Sequence, residues 1–456
     1  MIARDLDKFI ENHYDSNKSA LLLTGARQTG KTFAMRRYAK KKGLDLLEIN
    51  FLEDPTASLV FKNVSGEDDL KLRLSAYARR PLSPEKTFIF FDEIQKCPEV
   101  VTMIKFLVDK TPYKYGLSGS LLGVELKNIR SVPVGYMDVK EVFPLDFLEF
   151  AKAVGVESKI ITHINKAFET HTPVDAYVHK TILKLLYLYL VVGGMPAAVQ
   201  TYIDSKDISS VQMKQKEILS LYKWDISQYD TDSKLFINEI FDLIPSELNS
   251  KNKRFILKNL NEGSRFSTYE NGFIWLKNAG SAIPVYNVKE AQFPLLLNKQ
   301  RNLMKLFQND VGLLTSQYAV GTALSILSGN VNINYGAIYE NFVAQELLSH
   351  GFGQLYYFNS KKLGELDFLI EKGDGNVIPI EVKSGKNYEQ HKAIDNVLKV
   401  KQYNIKDAYV FCNDNVTMKN NVIYLPVYMV SFLLRNRYSI GKYEIDLTGL
   451  AANNVR

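Results

Sequence analysis

Cysteine is scarce in this chain of 456 residues: Cys97 and Cys412 are the two present. They lie far apart and without metal-site spacing, so neither a disulfide framework nor a zinc centre is expected. A reducing compartment is the simplest home. Long apolar runs are missing too. The most apolar window, Leu185–Met195, follows Lys184 and falls short of the about 20 residues that span a bilayer. Met1–Ile10 alternates charged with apolar residues and lacks the core of a signal peptide. Internal repeats and low-complexity segments are likewise missing. A cytoplasmic protein with no membrane contact is therefore expected. Nor does one sign of charge dominate: the formal net charge of +7 permits contact with nucleic acid without demonstrating it. With 46% hydrophobic and 23% charged residues, the chain can build sizeable cores. At about 150 residues per domain it holds about three.

The most informative stretch is Ser19–Thr32. Ala20–Leu23 is an apolar run of strand length. Gly25-Ala26-Arg27-Gln28-Thr29-Gly30-Lys31-Thr32 then fits G-x-x-x-x-G-K-[ST], the phosphate-binding loop. A helix over Lys31–Lys42 follows, with Gly43 where a C-terminus favours a left-handed residue. Gly25 and Gly30 let the backbone curl so that the loop's N–H groups converge on phosphate oxygens at a helix N-terminus. Lys31 is placed to reach the β- and γ-phosphates of ATP, and the Thr32 hydroxyl to hold Mg²⁺. A chance glycine turn would not carry Lys-Thr between a strand and a helix in this order.

Leu46–Phe51 reads as a second strand and Thr87–Phe91 as a third, apolar after its first residue. Such a strand suits a parallel sheet covered on both faces. It ends in Asp92-Glu93, at the carboxyl end where open α/β sheets bind their ligands. Asp92 is expected to hold Mg²⁺ through water, and Glu93 to orient and activate the attacking water. Tyr115–Leu117 leads into Ser118-Gly119-Ser120. Ser118, chosen over Ser120, is the candidate to touch the γ-phosphate or that water; a plain strand-ending turn is the bland reading. Val139–Val142 supplies a further short strand before Pro144-Leu145.

Taken together, GARQTGKT (25–32), FIFFDEIQ (88–95), GLSGS (116–120) and EVFPLDFLEF (141–150) resemble the prokaryotic AAA+-type ATPases. More narrowly, they resemble the group whose members carry a C-terminal domain of unknown function. The resemblance implies a five-stranded P-loop core over residues 1–150 that hydrolyses ATP rather than merely binding it. It also implies a site between the subunits of a homo-oligomeric ring or dimer. One departure stands out. Many relatives carry Arg after the glycine where this chain has Tyr136 after Gly135. Arg130 and Arg27 are the nearby residues able to substitute as an arginine finger, and the sequence does not choose between them.

Residues 151–330 read as a helical middle region. Thr172-Pro173 followed by Asp175 opens a helix, along which Val174, Val178, Ile182, Leu186 and Leu190 recur every four residues. Gly193-Gly194 stops it. Gly-Gly-Met-Pro (193–196) resembles the Gly-x-Pro element that opens the lid of many signalling ATPases, where the proline packs beside the nucleotide base. A helix–turn–helix corner is the even alternative, so Met195 and Pro196 are secondary candidates. Ser233–Leu248 and Lys253–Asn259 suggest paired short helices, and Gly272–Leu276 with Ile283–Val288 a small hairpin. Helices followed by such a wing make a winged-helix-like module of a kind that docks on DNA. Lys251, Lys253, Arg254 and Lys258 supply positive charge there, although a solvated face is the commoner meaning of such a cluster. Asp310-Val311-Gly312-Leu313-Leu314 matches a recurrent element of the same ATPase family and has no evident chemical role.

Ser328-Gly329 and Asn330–Asn334 mark a boundary, after which residues 331–456 form a third unit. A helix over Ala337–Ser349 displays Glu340 and Glu346 and is closed by Gly351. Leu355–Phe358 follows. Two arms, Glu365–Glu371 and Val377–Lys383, are then joined by Gly373-Asp374-Gly375-Asn376 as a hairpin. Alternation puts Leu366, Phe368 and Ile370 on one face with Glu365 and Asp367 opposite. It puts Ile378, Ile380 and Val382 on one face with Glu381 and Lys383 opposite. Asp367, Glu381 and Lys383 thus converge, with Glu340 in reach. Their carboxylates suit Mg²⁺ or Mn²⁺, and the lysine suits positioning or activating water against a phosphodiester. Pro379 removes one ladder N–H, so its arm is either an edge or begins pairing late.

This arrangement resembles the PD-(D/E)XK nuclease superfamily, the restriction-endonuclease-like α/β fold. The resemblance implies catalytic roles for Asp367, Glu381 and Lys383, with Glu340, Asp367 and Glu381 as metal ligands. The expected whole is an α/β chain: a P-loop AAA+ parallel-sheet core, a helical or winged-helix-like middle, and a restriction-endonuclease-like C-terminal domain. Its expected function is Mg²⁺-dependent ATP hydrolysis coupled to a nuclease-like domain that engages DNA. The alternative is an ATP-driven switch whose C-terminal domain only recognises a nucleic acid or a protein.

Overall fold

The structure, a computed structural model, describes residues 2–120, 135–228, 234–250, 252–260, 265–329, 336–373, 375–435 and 444–445. Two sheets organise them. The first comprises β1 (Ala20–Thr24), β2 (Asp45–Asn50), β3 (Thr87–Asp92), β4 (Lys114–Ser118) and β5 (Met137–Glu141). All its pairings are parallel, in the order β2-β3-β4-β1-β5. All six residues of β3 are buried, as a strand covered by helices on both faces must be. On one face, the helices Asp5–Ser16 and Lys31–Lys41 pack Ile10, Met35 and Tyr38 against Phe88 and Phe90. On the other, Glu67–Ala78 and Pro98–Lys110 pack Leu70, Val101 and Ile104 against Ile89 and Phe91. This is the five-stranded core expected from the motifs. Arg130 lies outside the described residues.

The middle of the chain is helical through residue 278. Asp175, rather than Thr172, caps the helix Ala176–Val192, its carboxylate accepting from the Tyr177 and Val178 N–H groups at 3.0 and 3.1 Å. A carboxylate beside the first turn is the better acceptor for those unpaired donors. The expected winged-helix hairpin does not form. Gly272–Leu276 lies inside the helix Phe266–Asn278, whose buried Tyr269, Phe273 and Leu276 recur at helical spacing. Ile283–Val288 belongs to the second sheet instead. Lys253–Asn259 contributes a single 3₁₀ turn at Leu257–Asn259, while Ser233–Leu248 corresponds to one helix, Lys234–Asn249.

The second sheet is mixed and has eight strands: β6 (Ala282–Val288), β7 (Lys299–Gln308), β8 (Leu355–Ser360), β9 (Gly364–Glu371), β10 (Val377–Val382), β11 (Ala408–Cys412), β12 (Thr417–Lys419) and β13 (Val422–Pro426). Their order is β12-β13-β11-β10-β9-β8-β6-β7. The sheet therefore starts at Ala282, well before the boundary expected near residue 330, because β6 pairs in parallel with β8. β10 is internal, between β9 and β11, and pairs with β11 only from Ile380 onward, just past Pro379. Of the two outcomes the proline allowed, late pairing is the observed one.

The second sheet, the helical region and the helix Phe147–Ala153 that follows the first sheet meet on the helix Gly336–Leu347, all of whose residues are buried. A tight corner lies nearby. Gly194 N–H donates to Asp310 Oδ2 at 2.6 Å, and Gly194 O accepts from Leu145 N–H at 2.7 Å. A Cβ at Gly194 would stand 2.0 Å from Leu145 O, so only glycine fits. Asp310 Oδ1 also accepts from Leu313 N–H at 3.0 Å, capping Val311–Ser316. The recurrent 310–314 element thus holds the corner of the helical region. Burial raises the Asp310 carboxyl to about 6, against the hydrogen bonds that lower it. Among the described residues, no single helix is long and apolar enough to cross a membrane. Asp310→Ala removes the carboxylate acceptor of two backbone N–H groups at once and is expected to cost about 2–3 kcal/mol. Urea unfolding of the variant against wild type checks this, and a cost near zero would mean that the corner is held elsewhere.

Candidate functional site

The loop Gly25–Thr32 joins β1 to the helix Lys31–Lys41. Its curl rests on positive φ at Gly25 (+118°), Gln28 (+65°) and Gly30 (+93°). Gly25 is pressed against β5: a Cβ there would lie 2.3 Å from Val142 O. Lys31 is nearly buried and folds back onto its own loop. Its Nζ donates to Gly25 O at 3.0 Å and Ala26 O at 2.7 Å. Burial lowers the Lys31 ammonium to about 8, with Glu93 and Asp92 acting in the opposite direction. Thr29 Oγ1 donates to Ala26 O at 2.9 Å.

Parallel pairing brings the carboxyl ends of β1, β3 and β4 side by side, and the polar groups gather there. Thr32 Oγ1 lies 3.1 and 3.0 Å from the two Asp92 oxygens. Ser118 Oγ also donates to Asp92, and burial raises that carboxyl from its usual range. Glu93 sits in the left-handed region at φ +55°, a conformation a non-glycine residue adopts at a cost. Its Oε2 accepts from Gln95 Nε2 at 2.5 Å and from Ser120 Oγ at 3.2 Å. Ser118 is thus turned to Asp92, and Ser120, ranked second on sequence, is the hydroxyl at Glu93. Lys31, Thr32 and Glu93 line a cavity of about 580 Å³ together with Arg27, Gln28 and Gly30. Pro196, at the start of the helix Pro196–Ser205, lines it too. Met195 is buried in the core instead.

Arg27 does not reach into open space. Its guanidinium pairs with Asp225 at 2.8 Å and lies over the Trp224 ring at 5.8 Å, both on the helix Ile208–Gln228. One residue was missed on sequence. Arg4 donates to Thr29 O at 2.9 Å and Phe143 O at 3.0 Å, and pairs with Glu149 at 2.8 Å. It ties the phosphate loop to the start of the helix Phe147–Ala153 from a position with no motif around it. Thr32 and Asp92 are hard oxygen donors facing one another, a set that fits Mg²⁺ beside a bound phosphate chain.

The second constellation assembles differently from expectation. Asp367 Oδ2 accepts from Val382 N–H at 2.8 Å, and Glu381 pairs with Lys383 at 2.6 Å. Burial raises Glu381 to about 7, which Lys383 counteracts. Glu340 is buried and pairs with Lys253. Between these groups stands a residue the sequence argument did not consider, Lys305 of β7. It is fully buried, with Nζ 2.8 Å from Glu365, 3.4 Å from Glu340 and 3.7 Å from Asp367. An ammonium therefore lies among Glu340, Glu365 and Asp367, while Glu381 is paired with Lys383 instead. Among the described residues no group of three His, Cys, Asp or Glu side chains is arranged to hold a metal ion. Of the expected DNA-facing cluster, Lys251 lies outside the described residues, and Lys253 is committed to Glu340.

Residues 17–151 match the family model described as an AAA domain. Residues 335–430 match a domain of unknown function, DUF4143, and residues 183–323 match a second, DUF8612. The eight-stranded sheet thus draws on both of the latter. No curated protein matches the sequence. Among solved structures, the chain is similar to a Walker-type ATPase of Pyrococcus abyssi, at 14% identity and a TM-score of 0.42, covering 70% of this chain and 96% of that one. It is also similar to the Thermotoga maritima RuvB Holliday junction branch migration motor, at 14% identity and a TM-score of 0.29, covering 62% and 89%. A third is the Aeropyrum pernix ORC1 protein in complex with DNA, at 14% identity and a TM-score of 0.27, covering 71% and 90%. The first sheet and its loop thus have an AAA-type P-loop fold.

Lys31 generates a pH prediction. Bound phosphates favour its ammonium form, so binding above the free-state value of about 8 must take up a proton. The Kd for ATP is expected to rise about tenfold between pH 7 and pH 9 for wild type, and to stay flat over that range in Lys31→Arg. Isothermal titration in buffers of different ionisation enthalpy reads both the affinity and the proton uptake. A wild-type Kd that does not move would mean that the ammonium is fully charged in the free protein.

Proposed function

We propose that the protein binds and hydrolyses ATP with Mg²⁺, and that this reaction drives a conformational switch. The observation that carries the reading is that Lys31, Thr32 and Glu93 line one cavity, with Asp92 held against Thr32 at its base. The loop N–H groups and the helix N-terminus hold the phosphates. Lys31 leaves the Gly25 and Ala26 carbonyls for the β- and γ-phosphate oxygens. Thr32 and Asp92 would hold Mg²⁺, whose chemistry would be to neutralise charge on the phosphate chain. Glu93 orients a water in line with the γ-phosphorus and accepts its proton as the new P–O bond forms and the bond to ADP breaks. Gln95 and Ser120 steer the Glu93 carboxylate for that task. Glu93→Gln is expected to keep ATP affinity within about threefold and lower phosphate release at least about 100-fold. Phosphate release at the wild-type rate would remove Glu93 from this role.

For the C-terminal sheet, the reading supported by Lys305 is recognition of a nucleic-acid or protein partner rather than cleavage of DNA. Supporting this reading, the ammonium lies beside Glu340 and Asp367, two of the three metal ligands that the nuclease resemblance implies. Supercoiled plasmid incubated with wild type and Mg²⁺ or Mn²⁺, with and without ATP, is expected to stay intact. Metal-dependent cutting that Asp367→Ala abolishes would restore the nuclease reading.

A further inference from the structure

We infer that Lys305 is the resident cation of the carboxylate cage in the second sheet, and that its removal would open a site for a hard divalent cation. The inference rests on the recognition reading of that sheet and accounts for it chemically. A fully buried ammonium is costly unless it is paired on several sides. Lys305 is paired in this way: Glu365, Glu340 and Asp367 all lie within 4 Å, and the Tyr357 ring lies 5.1 Å from Nζ. Lys253 reaches Glu340 from the other side. Three carboxylates thus face two ammonium groups.

The geometry also explains why the cage excludes a metal. Mg²⁺ and Mn²⁺ draw oxygens in to about 2.0–2.2 Å, and the Lys305 ammonium already lies among these oxygens. A divalent ion beside the ammonium would meet strong repulsion at low dielectric. The lysine is tethered through β7, whose pairing with β6 runs from Lys299 to Gln308, so it cannot diffuse away. Without it, Glu340, Glu365 and Asp367 remain as oxygen donors around a vacated centre. The partly exposed Glu365 side chain offers a way in.

Mn²⁺ binding by the full-length, nucleotide-free chain tests this through the electron paramagnetic resonance of the free ion. Wild type is expected to bind no Mn²⁺ that Asp367→Asn removes. Lys305→Ala is expected to bind one further Mn²⁺ per chain, lost again in Lys305→Ala/Asp367→Asn. A folded Lys305→Ala that gains no Mn²⁺ would overturn the inference. If Lys305→Ala does not fold, wild type against Asp367→Asn still decides, because Mn²⁺ held by wild type through Asp367 would show that the lysine yields to metal. Plasmid cleavage, measured alongside, separates the two claims: metal-dependent cutting by wild type with this Mn²⁺ pattern intact would sink the recognition reading alone.

Discussion

A single buried helix sets the terms for the rest of the molecule. Gly336–Leu347 is enclosed along its whole length, yet it carries Glu340, Asn341, Gln345 and Glu346. Buried polar groups must find partners or cost stability, and each of these finds one in a different part of the chain. Asn341 exchanges hydrogen bonds with the Gln308 backbone at 2.8 and 3.1 Å. Gln345 accepts from Val311 N–H at 2.9 Å and donates to the Tyr189 hydroxyl at 2.7 Å. Glu346 accepts from Phe147 N–H at 3.0 Å, and Glu340 joins the Lys305 cage. The β7 end, the helical region and the AAA-type domain are thereby referred to one rod. A shift of any of them strands a polar group, so they are expected to move as packed bodies rather than by gradual bending.

The same helix leads back to the nucleotide loop. Its C-terminal Glu346 lies 3.9 Å from His350, which in turn approaches Asp146 at 3.3 Å. Asp146 caps the helix that bears Glu149, the partner of Arg4, and Arg4 holds the carbonyl of Thr29. Burial raises Glu346 to about 7, with His350 acting against it, while His350 holds the Asp146 carboxyl below its ordinary value although burial opposes this. Charge at this junction is therefore set jointly by residues of the loop-bearing domain and residues after the buried helix. That is the physical content of coupling: a contiguous set of groups whose partners lie on both sides.

Legibility in the sequence followed the range of the interactions. The phosphate loop, Asp92-Glu93 and the five strands were readable because short-range spacing dictates them: glycines for positive φ, lysine after them, carboxylates closing an apolar strand. The hairpin arms of β9 and β10 were readable from alternation alone, and even the delayed pairing past Pro379 was one of two anticipated outcomes. What escaped depends on contacts between distant segments. Ile283–Val288 looked like a wing because nothing local says that it will lie beside Leu355–Phe358. Arg4 carries no pattern, and it matters only because the chain returns 145 residues later with Glu149. Lys305 left a faint trace, a lone charge amid Leu303, Met304, Leu306 and Phe307. A lysine inside an apolar strand announces a buried partner but does not say which carboxylates will come to it.

The contact between Arg27 and the long helix Ile208–Gln228 has an optical side. The chain has two tryptophans. Trp275 is packed in the core at 3% exposure, while Trp224 is about half exposed and lies under the guanidinium of a phosphate-loop residue. Indole emission is quenched and shifted by nearby charge and by water, so the shielded ring supplies a steady background and the other reports. The protein thus carries a built-in fluorophore against an arginine of its phosphate loop, and a change at that contact can be followed in real time without attaching a dye.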